Sequence, residues 1–82
     1  MENMSFSPLI VTLADREPVP ILSVQEAWTF LVHDWPEGHE KTRDKALTMC
    51  GIALRGRAGA QVAREAFVLA ARDAGITVRE PR

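Results

Sequence analysis

Two prolines stand two residues apart in a segment that otherwise reads as extended, Pro18-Val19-Pro20-Ile21-Leu22. Proline has no backbone N–H to give to a ladder, so this segment is excluded from the middle of a sheet. It predicts an edge strand or an extended arm. The run before it, Pro8–Leu13, holds Leu9, Ile10, Val11, Thr12 and Leu13 and predicts its hairpin partner. Asp15-Arg16-Glu17 is the polar break between them. Near the other end, Ile76-Thr77-Val78-Arg79 alternates apolar and polar residues, a strand with period two. Because Pro20 bars the second strand from the centre, the simplest packing puts the last strand beside the first.

Three helices fill the interval. Ser23-Val24-Gln25-Glu26 has the capping-box pattern: the Ser23 hydroxyl takes the N–H three residues on, and Glu26 reaches back to the cap. Val24, Ala27, Trp28, Leu31, Val32 and Trp35 then recur on one helical face, which predicts a core stripe with Trp28 at its centre. Pro36 ends the helix, because the residue before a proline is pushed out of helical dihedrals. A second helix is predicted from about His39 to Arg55, ended by Gly56. Its first turns are polar and its second half apolar: Ala46, Leu47, Met49, Cys50, Ile52, Ala53 and Leu54. Gly51 interrupts it at a cost of about 1 kcal/mol against alanine, so the sequence predicts close approach of another helix there. The third helix, Ala60 to Ala74, offers Ala63, Ala66, Phe67, Ala70 and Ala74 as the facing surface, widened by Val62 and Leu69. Gly75 followed by Ile76 fits a left-handed C-terminal cap.

The resulting order is β-β-α-α-α-β, an α+β fold with a small three-stranded sheet packed against helices on one face. Residues 1–7 are expected to be a flexible tail, and 8–80 one domain. Eighty-two residues leave room for only a small core. No apolar run approaches the roughly 20 residues of a membrane span, and Met1–Leu9 lacks the features of a secretory signal. The lone Cys50 has no partner for an internal disulfide, which points to the reducing cytoplasm.

The run of signals resembles one small bacterial family, domain of unknown function 982. The residues that carry the resemblance are Pro18-Val19, Ser23-Val24-Gln25-Glu26-Ala27 and Trp35-Pro36, then Ala46 with Cys50 and Ala53-Leu54-Arg55-Gly56. Ala63 through Ala71 and Ala74-Gly75-Ile76 complete it. It covers roughly residues 6–80. The resemblance implies a short stand-alone domain and brings no catalytic residues with it.

The net charge of −1 conceals an asymmetry. Residues 1–40 carry one basic and seven acidic residues, and residues 41–82 carry nine basic and four acidic. The segment Lys41–Arg64 holds six basic residues against Asp44 alone. Within it, Arg55-Gly56-Arg57-Ala58-Gly59-Ala60 joins two helices. Free N–H groups at a helix start can hold an anion, so Arg55, Arg57, Gly59, Ala60 and Arg64 are the candidate anion-binding residues. The turn is not a P-loop, because it lacks the Gly-Lys-Ser/Thr ending and no strand precedes it. No aromatic residue is interleaved with the basic ones to stack bases.

Other chemistry finds less support. His33, Asp34, Glu37, His39 and Glu40 cluster around Trp35-Pro36, but their spacing matches no zinc template. They read better as a polar connection whose acids favour a helix start. Cys50 sits among apolar residues, as a small core side chain does. Ser5 and Ser7 fall in the tail and Ser23 is a cap. No catalytic set, cofactor or metal is therefore expected. The residues left for a partner are Trp35, at the end of its stripe, and Val68, an apolar residue among Gln61, Arg64, Glu65 and Arg72. The expectation is a cytoplasmic interaction module, as a homodimer or an accessory subunit, with anion or nucleic-acid binding through 41–64 as the alternative.

Overall fold

The computed structural model describes residues 4–14 and 16–81. Its elements run β1 (Ser5–Thr12), β2 (Val19–Ser23), α1 (Val24–His33), α2 (Glu40–Leu54), α3 (Ala60–Asp73) and β3 (Thr77–Arg79). The strands form one antiparallel sheet in the order β2-β1-β3. This is the expected α+β arrangement, with β2 at an edge as its prolines require and the last strand beside the first. In register, Leu9 faces Ile21 and Ile10 faces Pro20 across one ladder, and Val11 faces Val78 across the other.

Alternation then sorts the sheet into two faces. Leu9, Val11 and Ile21 are buried, and they join Val24, Ala27, Phe30 and Leu31 of α1 in one core. From α2 the core takes Ala46, Cys50 and Ala53. From α3 it takes Ala63, Phe67, Val68, Ala70 and Ala71. Three aromatic rings lock the helices together edge to face: Phe30 and Trp35 at 6.1 Å, Phe30 and Phe67 at 5.9 Å, Trp35 and Phe67 at 6.1 Å. Edge-to-face pairs are the favoured aromatic geometry and add to simple burial.

The first strand begins three residues before the Pro8 start that the sequence predicts. Ser5–Ser7 belong to β1, and the Met4 carbonyl accepts the Val24 N–H at 2.9 Å. The strand passes Pro8 by shifting register between Ser5 and Leu9. A residue without an N–H is tolerated at such an irregularity. Residues 1–3 of the expected tail, and Asp15 of the polar break, lie outside the described residues.

The helix ends follow their signals closely. The Ser23 hydroxyl accepts the Glu26 N–H at 3.2 Å. Glu26 reaches back one residue further than the capping box requires and accepts the Leu22 N–H at 2.8 Å. α1 stops at His33, two residues short of Trp35. Both α2 and α3 end in the same left-handed glycine motif. At α2, Arg57 N–H reaches the Ile52 carbonyl and Gly56 N–H the Ala53 carbonyl; at α3, Ile76 reaches Ala71 and Gly75 reaches Arg72. Gly56 and Gly75 have φ of 79° and 80° there, a conformation glycine adopts without the Cβ penalty.

Candidate functional site

The sequence-predicted residues do not converge on one place. Arg57 spends its amide on capping α2, as above. Arg55 and Arg57 are exposed, and neither belongs to an ion pair among the described residues. Gly59 is the N-cap of α3 and provides no side-chain cap. Arg64 has left this group altogether. It is 8% exposed, donates from Nε to the Ser7 carbonyl at 2.9 Å, and pairs with Glu80 at 3.1 Å. Glu80 also takes Arg72 at 3.2 Å. Arg64 is thus a clamp between α3, the irregular start of β1 and the segment after β3. The anion-binding alternative is left with two arginines and a helix start.

Of the two residues expected to face a partner, Val68 belongs to the buried core and Trp35 packs half-buried against it. Val68 is only 7% exposed. Its apparent polar side of α3 is the side on which Arg64 is drawn down to the Ser7 carbonyl, and Val68 belongs to the shared core. Trp35 is half-buried in the aromatic trio, and its indole Nε1 donates to the His39 carbonyl at 3.1 Å. Trp28, expected at the centre of the core, is 38% exposed. Phe30 takes that central place. Gly51 faces Trp28 and not α3: a Cβ built there would meet the indole Cζ3 at 3.6 Å, an ordinary contact.

The polar cluster around Trp35-Pro36 is occupied structurally. Asp34 pairs with Arg16 at 3.0 Å. The Gly38 N–H donates to Glu40 at 3.0 Å, and this backbone hydrogen bond lowers the Glu40 carboxyl below its usual range. Among the described residues, no three His, Cys, Asp or Glu side chains gather as a metal site requires. Cys50 is fully buried, and burial pushes its thiol from 9.0 up to about 11.

A concave surface exists elsewhere, in a place the sequence reading assigned to the core. Between α2 and α3 runs an open groove of about 470 Å³. Its floor is Ala46, Ala66 and Ala70, with Met49 along the α2 side. Leu69 rises on the α3 side and is 68% exposed, the most exposed of the large apolar side chains among the described residues. Lys45 and Asp73 flank one end. The Thr42 hydroxyl donates to Asp73 at 2.7 Å and ties the two helices together there. Val62, 40% exposed, extends the apolar strip toward the α2–α3 turn. The alanines let the helices lie low, and so leave Leu69 standing above the floor.

Residues 7–78 match the family described as "Protein of unknown function (DUF982)". The chain belongs to this family. The NMR structure of Agrobacterium tumefaciens protein Atu1219 is similar to this DUF982 chain, with 30% sequence identity and a TM-score of 0.78. The similarity covers 100% of this chain and 90% of that one. Comparison with curated proteins gives no match. The likeness to the solved structure supports the fold, and membership of DUF982 assigns no activity.

Proposed function

We propose that this DUF982 chain is a non-catalytic protein-interaction module, and that the outer face of α2 and α3 docks a helical protein surface. The observation that carries this reading is Leu69, a large apolar side chain standing in solvent beside an alanine-floored groove. Single exposed apolar residues are ordinary. Leu69 differs in having Val62 on its own helix and Met49 across the groove, so that together they form a strip flanked by one charge of each sign. Such a strip fits a partner that brings apolar side chains spaced along a helix.

Two of the candidate nucleophiles have structural roles, which agrees with a non-catalytic reading. Ser23 is spent on its cap, and Cys50 is buried and protonated at neutral pH. A buried unpaired thiol also fits the reducing cytoplasm. No helix among the described residues is long and apolar enough to cross a membrane.

Site-specific photo-crosslinking in cells tests the reading. A photoreactive residue replacing Leu69 should give an adduct of discrete mass, and the same residue replacing the exposed Arg79 on the open sheet face should not. Absence of any adduct at position 69 would overturn the docking role of this face.

A further inference from the structure

The geometry points to a second copy of this chain as the occupant of the α2–α3 face, in a symmetric dimer whose two-fold axis runs along the groove. This rests on the reading of that face as a docking surface and names its partner. The argument comes from how charge is placed on the two rims. α2 and α3 run antiparallel, because Thr42 and Asp73 are bonded at one end and the Arg55–Gly59 turn joins them at the other. Lys45 therefore stands on the α2 rim close to the level of Asp73 on the α3 rim, and both line the groove. Within the chain, Lys45 is in no ion pair among the described residues.

A two-fold axis along the groove exchanges the rims and keeps each level. It lays α2 of one copy on α3 of the other. Lys45 then meets Asp73 of the second copy, twice by symmetry, and Met49 meets Leu69 of the second copy, also twice. Each exposed leucine enters the space above the other chain's alanine floor. Self-complementarity of this kind is what an isologous contact requires, and the four helices pack as two facing pairs. An axis running across the groove lays each helix on its own copy and reverses the levels. Lys45 then falls against the region of Ile52, and Asp73 against Val62. That arrangement sets charge on apolar surface and leaves both charges unpaired, so the first axis is favoured. The favoured axis places the two arginine turns at the same end, where the side chains are exposed and screened by salt.

Sedimentation equilibrium of the full chain and its variants tests the dimer. The wild type should approach twice its 9.1 kDa at high protein concentration. Leu69→Asp should sediment as a monomer with an unchanged far-ultraviolet spectrum. Lys45→Asp and Asp73→Lys should each raise the dissociation constant about fivefold to tenfold, as two exposed pairs become repulsive. The double exchange, Lys45→Asp with Asp73→Lys, should return it to within about threefold of wild type. The Thr42 bond is lost in both the Asp73 single variant and the double, so recovery reports the Lys45–Asp73 pair alone. A wild type that stays at the monomer mass to 1 mM on the order of the highest usable concentration overturns the homodimer. A position-69 crosslink to a different mass would still uphold the docking face. A dimer indifferent to Leu69→Asp, or a double exchange no better than the singles, overturns the placement and the axis.

Discussion

At the scale of single residues, the largest revision concerns which aromatic side chain holds the core. A helical stripe fixes which residues share a face but not how far that face is covered. Trp28 lies at the flank of α1, where α2 covers one side of the indole and solvent the other. Phe67 has no exposure and touches both other rings of the trio. Phe67→Ala should therefore cost about 3–5 kcal/mol, the usual range for a buried aromatic. Trp28→Ala should cost roughly 1–3 kcal/mol, because part of its surface never leaves water. Urea melts of both variants check the order, and an equal or larger loss at Trp28 would contradict it. Cys50 offers a second test. Its folded-state pKa lies above its unfolded one, so its contribution is intact below about pH 9. It is lost as pH rises from 9.0 toward about 11. The stability difference between wild type and Cys50→Ala should be flat up to pH 8.5 or so and shrink above it, by about 1.4 kcal/mol per unit. A difference that stays flat to about pH 10.5 would show a thiol in easy contact with water.

At the scale of elements, most boundaries were legible because short-range chemistry sets them. Ser23 and Glu26 start α1, Pro36 prevents its continuation, and Gly56 and Gly75 end the next two helices. What was not legible depended on contacts distant in sequence. Arg64 lies 57 residues from Ser7, and nothing local distinguishes it from a solvated arginine. Val68 shares the Arg64 side of α3 and is buried in the core, which its polar neighbours in sequence do not reveal. Leu69 was readable in principle. It is two residues beyond Phe67, so a rotation of about 200° carries it away from the buried side. Reading it as an extension of the alanine face hid the groove. Gly51 gives a prediction at this scale. A methyl group fits beside Trp28, and alanine gains about 1 kcal/mol in helix propensity. Gly51→Ala should be as stable as wild type or more so by up to that amount. Gly51→Leu should fall below it, because its longer side chain must displace Trp28 or Arg55. A destabilised alanine variant in thermal melts would mean that α1 and α2 need a closer approach than they show.

At the scale of the whole molecule, a three-stranded sheet covered on one face is held by a small shared core, and the helices present two different surfaces outward. On the α1–α2 side, Trp28 and Val32 lie exposed, but Trp28 rests on Gly51 and fills the space between the helices. On the α2–α3 side, small residues keep the helix surfaces low and Leu69 projects. The strand order follows from two prolines and the helix order from local caps, so the fold was open to sequence reading. The proposed docking face arises only when α2 and α3 are placed side by side, since its residues come from 42 to 73 and no local motif marks them. The most direct test is an isotope-filtered NOE experiment on an equal mixture of labelled and unlabelled chain at a concentration where the dimer predominates. Contacts between the Leu69 methyl groups of one chain and the Met49 methyl group of the other are the predicted result. Intermolecular contacts from Trp28 and Val32, with none from Leu69, would contradict the account.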